Sequence, residues 1–129
     1  MDWISDTLAR IRNAIMVNKK TVNIRGTDSV LRVIEVMKKE GFVESYDLAK
    51  TPEFKQHYVV KMAVNNGEFV LKGLNRISKP SLRRYYKSMD LKPFLKKFCV
   101  PIVSTNKGVL SGRQAIHENI GGELLCEVF

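Results

Sequence analysis

Val100-Pro101-Ile102-Val103-Ser104-Thr105-Asn106-Lys107-Gly108-Val109-Leu110 is the stretch on which the reading of this chain turns. An apolar run that stops at small polar residues and a glycine reads as a strand ending in a tight, exposed loop. From Ser104 to Gly108 the loop gathers two hydroxyls, a carboxamide, a lysine and a glycine. Hydroxyls both donate and accept, which suits the sugar hydroxyls and base edges of an RNA minor groove. Lys107 adds a phosphate contact, and Gly108 lets backbone approach backbone. None of these groups has an obvious route to covalent chemistry. Alone, the same residues also fit a plain polar hairpin turn, so their surroundings decide.

Working back from the loop, the segment Lys72 to Lys97 holds Lys72, Arg76, Lys79, Arg83, Arg84, Lys87, Lys92, Lys96 and Lys97 against one acid, Asp90. Tyr85 and Tyr86 are interleaved. Cations neutralise phosphates and release counterions. Aromatic rings stack on bases or rest against ribose. The bland alternative is a solvated basic face with tyrosines in the core. Along a strand Tyr85 and Tyr86 point to opposite faces, so each reading claims one of them.

The whole chain has 129 residues, 22 Lys plus Arg and 13 Asp plus Glu, a net charge of +9. Residues 1–68 carry 11 basic and 9 acidic side chains, residues 69–129 carry 11 and 4. The excess therefore lies in the C-terminal half, and it calls for an anionic partner. With 44% hydrophobic residues the chain can bury a real core. Cys99 and Cys126 make no disulfide framework and lack metal-ligand spacing; two free thiols in a reducing compartment fit best. His57 and His117 have no ligand or triad company nearby. Carboxylates are sparse in the basic half, which leaves paired acid–base catalysis few candidates. No apolar run approaches the ~20 residues of a membrane span, and no leader segment precedes the first patterned helix. The expectation is a protein that acts where it is made, with no cofactor, no metal, no membrane and no small-molecule substrate.

Along the chain, Asp2 caps a first helix whose apolar stripe is Ile4, Leu8, Ile11 and Ile15, with Arg10 and Arg12 off it. Lys19 to Arg25 reads as a short basic strand with Val22 and Ile24 on one face. Asp28 or Ser29 caps a second helix to about Glu40, with Val30, Val33, Ile34 and Met37 inside and Gly41 as its stop. Phe42 to Leu48 reads as a strand, Ala49 to Gln56 as a hairpin loop, and Tyr58 to Val64 as another strand. Asn65-Asn66-Gly67 signals a turn after which Phe69 to Leu74 pairs back. Further on come a turn at Ser78-Lys79-Pro80-Ser81, an extended piece from Leu82 to Lys87, and a helical turn over residues 91–98. After the loop, Ser111 caps a short helix with Gln114 at the capping-box position. Gly121-Gly122 reads as a bend, and Glu123 to Phe129 as a last strand. The fold class is α+β in two small lobes. Residues 1–70 form two helices on a small antiparallel sheet. Residues 71–129 form a strand-rich lobe with short helices, joined to the first near residues 70–77.

Five of these segments, in order, resemble the small-subunit ribosomal protein S-eight family in its bacterial or organellar form. Residues Asp2 to Ala14 resemble its D-P-I-x-D-x-L-x-R-I-R-N-A. Glu40-Gly41-Phe42-Val43 fits its E-G-aromatic-aliphatic run. Arg76 to Tyr85 resembles R-I-S-K-P-G-x-R-x-Y, Ser104 to Leu110 resembles S-T-S-K-G-V-M, and Gly121 to Cys126 resembles G-G-E-I-I-C. The resemblance spans nearly the whole chain. It implies a structural, non-enzymatic protein that binds the central domain of small-subunit rRNA and supports subunit assembly, beside neighbouring small-subunit ribosomal proteins. It implies a place in a bacterial cytoplasmic ribosome, or in an organellar one if organelle-encoded. Some bacterial members also repress their own operon through an mRNA that mimics the rRNA site.

Carried over, Ser104, Thr105, Asn106, Lys107 and Gly108 form the reading loop. Tyr85 sits against RNA, Lys79 and Arg83 serve phosphates, and Glu123 braces or adjoins the loop. Arg10, Arg12 and Asn13 belong to a secondary contact. Trp3, Ser81, Cys99, Pro101, Asn106 and Gly112 depart from the pattern. Pro101 in particular belongs at a strand edge or start. Two rivals remain on the residues alone: a small enzyme acting on nucleic acid, and a basic module indifferent to RNA shape.

Overall fold

A computed structural model describes residues 2–49, 57–95 and 98–129. The chain divides into two compact units, Met1–Lys72 and Gly73–Phe129.

In the first unit, α1 (Trp3–Met16) starts where the Asp2 carboxylate accepts the N–H groups of Ile4 and Ser5, each at 3.2 Å. Leu8 and Ile11 are buried with Thr7 and Ala14, while Ile4 and Ile15 flank that face half-buried. β1 (Thr21–Arg25) alternates as expected and buries Val22 and Ile24. Helix α2 (Asp28–Lys39) is capped by Thr27, one residue before the expected caps. Asp28 is already helical, where its charge favours the positive end of the helix dipole. The chain leaves α2 through Gly41 at φ 88°. Strands β2 (Val43–Leu48) and β3 (His57–Met62) complete an antiparallel sheet of order β1-β3-β2. Of the loop expected over residues 49–56, all but Ala49 lies outside the described residues. Val60 and Met62 bury the sheet's inner face, and Val30, Val33, Ile34 and Met37 bury the inner side of α2.

The expected turn is present: Asn66 and Gly67 both take left-handed backbone, φ 53° and 78°, between β4 (Val64–Asn65) and β5 (Glu68–Phe69). The return strand is much shorter than Phe69 to Leu74. Pairing ends at Phe69, and Leu74 opens β6 (Leu74–Arg76), which belongs to the sheet of the second unit. The cause lies at Gly73, which exchanges two backbone hydrogen bonds with Phe129 at 3.0 Å each.

The second unit continues with β7 (Tyr85–Tyr86), a 3-10 turn at Ser88–Leu91 and α3 (Lys92–Leu95). The helical segment thus begins at Ser88 rather than Leu91, and Lys96 and Lys97 lie outside the described residues. Then follow β8 (Val100–Thr105), β9 (Gly108–Ser111), α4 (Gly112–His117) and β10 (Gly122–Val128). The sheet is antiparallel in the order β6-β10-β8-β9, with β7 also pairing to β10. Its core is Leu91, Val103, Ala115 and Leu124, with Tyr86 and Phe94 packed against it edge to face at 5.3 Å. No described helix is long and apolar enough to cross a membrane.

Ser111 caps α4 by accepting the Gln114 N–H at 3.2 Å. The Gln114 side chain, however, reaches forward to Glu118 at 3.2 Å. Pro101 sits one residue before β8 begins to pair with β9 at Ile102, so its missing N–H leaves that ladder intact. Its ring fills the space beside Gly112, where a Cβ would come within 2.4 Å of the Pro101 Cγ. Two departures from the family pattern thus touch each other. Gly112→Ala is expected to destabilise the protein by about 1–3 kcal/mol through overpacking. In a Pro101→Ala background the same change is expected to be neutral or stabilising, because alanine is the better helix former. Urea unfolding of the four proteins in this cycle checks it, and equal effects in both backgrounds would refute the coupling.

Candidate nucleic-acid interface

The loop over residues 104–108 adjoins the place where β10 runs between β7 and β8. Glu123 of β10 lies opposite Tyr85 on one side and Ser104 on the other, and Ser104 lies opposite Val109 of β9. Residues in one cross-strand row share a face of the sheet. Three candidates far apart in sequence, Tyr85, Ser104 and Glu123, therefore stand in one line. The Tyr85 ring is 70% exposed on this face, whereas Tyr86 turns into the core. Alternation along β7 leaves Tyr85 exposed and packs Tyr86 against the core.

Gly121 and Gly122 make this row possible, and not as a bend. Neither has a positive φ. A Cβ at Gly122 would lie 2.1 Å from the Ser104 carbonyl oxygen, and one at Gly121 would lie 2.4 Å from that of Tyr86. The pair is needed for close approach of three strands rather than for backbone angle. Beside it lies an open concavity of about 600 Å³ lined by Tyr85, Lys87, Ser88, Asn119 and the two glycines.

At the loop itself, Thr105 pairs with Gly108 and the tip is Asn106-Lys107. Asn106 has no positive φ; in this hairpin that conformation falls on Gly108, at φ 111°. The Thr105 hydroxyl is committed internally. It donates to the Gly108 carbonyl at 2.7 Å and accepts the Lys107 N–H at 3.2 Å. Thr105 therefore shapes the turn, which leaves it little capacity to read a ligand. Asn106 and Lys107 are exposed, and Ser104 is half-buried at the end of the row.

Glu123 anchors the other side. Its carboxylate accepts from the Ser78 hydroxyl and from Arg83 Nη1, the latter at 3.0 Å. Burial alone would raise its pKa. The hydrogen bonds from Ser78 and Arg83, with the charges of Arg83 and Arg76, outweigh burial and hold the carboxyl below its ordinary value. Arg83 is thus partly engaged within the chain, while Lys79 is exposed at the turn closed by its backbone bonds to Leu82. Ser78 and the two glycines are the residues whose roles the sequence does not announce. Ser78 is visible there only as one letter of a turn motif.

Arg10, Arg12 and Asn13 lie exposed on α1, in the first unit. Arg10 pairs with Asp6 at 3.0 Å, and Arg10 and Asn13 border an open groove of about 320 Å³ with Lys19, Thr21 and Asn23. Cys126 is buried and in no disulfide, and burial pushes its thiol up to about 12, which keeps it protonated and unreactive. Among the described residues no three His, Cys, Asp or Glu side chains gather as a metal site.

The amino-acid sequence itself has relatives among known proteins. The profile of the family described as "Ribosomal protein S8" matches residues 2–129. The chain belongs to that family. The "Small ribosomal subunit protein uS8" of Halothermothrix orenii is 40% identical over 129 residues, covering 99% of this chain and 97% of the relative. That of Ruthia magnifica is 40% identical over 128 residues with the same coverage. The "Small ribosomal subunit protein uS8c" of Tupiella akineta is 38% identical over 128 residues, covering 99% and 98%. Membership of the ribosomal protein S8 family makes the chain a structural, non-enzymatic constituent of the small ribosomal subunit, of the type found in bacteria and organelles.

The depressed Glu123 pKa has a consequence for stability. A carboxyl whose pKa is lowered by folding stabilises the fold above its ordinary value of 4.5 and loses that contribution as pH falls through the folded value. Wild type is expected to be more stable than Glu123→Gln at neutral pH, with the gap closing below pH 4.5. Urea midpoints across the acid range check this. A gap that stays constant would mean that the Glu123 charge does not hold the network.

Proposed function

We propose that residues 71–129 form an rRNA-binding lobe that holds the central domain of small-subunit rRNA directly and thereby supports subunit assembly. The observation that carries this reading is the row Tyr85–Glu123–Ser104, which leads into a tip presenting Asn106 and Lys107. An irregular RNA helix offers a wide, shallow minor groove whose sugar hydroxyls and base edges suit the Ser104 hydroxyl and Asn106 carboxamide. Lys107 and the exposed Lys79 serve phosphates, and the Tyr85 ring rests against a base or ribose. Gly108 lets the tip approach closely. Arg83 shares its charge between Glu123 and RNA. Thr105 contributes by fixing the turn.

In the other unit, Arg10, Arg12 and Asn13 make a secondary contact with rRNA. Neighbouring small-subunit ribosomal proteins cover further surface. An mRNA from the protein's own operon would compete for the same face if it reproduced the irregular helix, which is the route to autorepression.

Binding to a central-domain rRNA fragment, against a regular duplex of equal length at several salt concentrations, tests the reading. The irregular RNA is expected to bind more tightly. Asn106→Ala is expected to lose about tenfold on the irregular RNA and little on the duplex. Lys107→Ala is expected to weaken both and to reduce the salt slope by about one. Equal affinity for both RNAs, unaltered by Asn106→Ala, would leave only a basic module indifferent to shape.

A further inference from the structure

We infer that Ser78 is a positioning residue of this face: acting through Glu123 and Arg84, it sets Tyr85 against the reading loop and so governs discrimination of RNA shape. The inference rests on the RNA-binding reading above.

Ser78 is fully buried, and each of its polar groups is used. Its N–H donates to the Leu125 carbonyl at 3.3 Å, which also takes the Ile77 N–H at 3.1 Å. Leu125 is the residue at which the β10–β8 register shifts, so the chain is pinned at a bulge. The Ser78 carbonyl accepts from Arg76 Nε. Its hydroxyl donates to the Glu123 carboxylate and accepts the Arg84 N–H at 3.2 Å. The Arg84 carbonyl in turn accepts the Leu124 N–H at 2.9 Å.

Between Ser78 and Arg84 the chain is exposed and closed on itself by two backbone bonds joining Lys79 and Leu82, each 3.0 Å. One hydroxyl thus ties the start of this loop to its end, and ties both to the strand that carries Glu123. Tyr85 follows Arg84 directly and faces Glu123. A hydroxyl can do this because it donates and accepts at once. Without it, the Arg84 N–H and one Glu123 oxygen lose that partner. The Arg83–Glu123 pair, with Arg83 about half exposed, is a weak substitute. Ser78 carries no charge, so phosphate attraction is untouched.

The experiment uses full-length protein with the irregular rRNA fragment and the regular duplex. Ser78→Ala is expected to lower the preference for the irregular RNA about tenfold while leaving the salt slope unchanged. The Arg84 amide is expected to exchange faster with solvent, a local readout that does not depend on RNA. Glu123→Gln keeps the shape of the acceptor and is expected to give part of the same loss even if Ser78→Ala fails to fold. Where both fold, the double variant is expected to lose less than the two single losses combined, because both act on one network. A wild-type preference that survives both substitutions, or losses that simply add, would overturn the role of Ser78 and leave the RNA-binding reading standing. No preference in the wild type would overturn both.

Discussion

At position 122 a side chain would begin 2.1 Å from the Ser104 carbonyl oxygen. That exclusion is the constraint on which the C-terminal unit depends. β10 enters its sheet between β7 and the end of β8, and it fits there because residues 121 and 122 are bare backbone. Glycine in a strand costs conformational entropy and offers no packing. Three contacts offset that cost. Glu123 meets Tyr85 and Ser104 at once, Leu124 drops into the core, and Ser78 can reach Glu123. A larger residue would push β10 away from the loop and separate the groups that make the row.

Much of this is legible in the order of the residues. Period and capping mark both N-terminal helices, because a helix whose buried face is set by local spacing announces itself in sequence. The Thr27 cap escapes by one position because three consecutive residues, Thr27, Asp28 and Ser29, all have capping side chains, and only geometry says which one stands outside the helix. The fate of Leu74 is illegible for a different reason. Leu74, Asn75 and Arg76 pair with Val128, Glu127 and Cys126 at the far end of the chain, a contact that no local pattern records. The glycine pair is conspicuous in sequence, where backbone freedom explains it well enough, yet its cause is proximity to strands distant along the chain. The loop shows itself as a polar tip; that Thr105 turns its hydroxyl inward becomes visible only with the Gly108 carbonyl in place.

The departures from the family pattern make physical sense where they can be traced. Asn106 stands at a tip position with ordinary backbone and an exposed side chain, so exchanging serine for asparagine there alters reach without straining the turn. Ser81 follows Pro80 in a turn that does not require positive φ at that residue, so glycine is dispensable. Trp3 opens α1 beneath the Asp2 cap and takes the Arg25 guanidinium over its ring at 4.6 Å, a cation–π contact that proline could not make. Pro101 and Gly112 are neighbours, and the ring of one occupies the space that a side chain at the other would need.

A carboxylate at the middle of a face proposed to hold a polyanion looks misplaced until its partners are considered. Glu123 is mostly buried, accepts from Ser78 and Arg83, and feels Arg76 as well. Its negative charge is engaged inside the protein, where it orients donors, and the exposed cations of the C-terminal half remain to set the outward field. This division separates two tasks. Lysines such as Lys79, Lys87 and Lys107 are exposed, and their attraction for phosphate would be long-ranged and indifferent to sequence. The row of Tyr85, Glu123 and Ser104 acts only at contact distance, and a row held by backbone ladders and one buried serine has little freedom to adapt to the wrong groove. Discrimination by such a face would come from rigidity rather than from added contacts. The acid at its centre is therefore part of the frame, and on the proposed reading the neutral groups around it would be the ones to meet RNA.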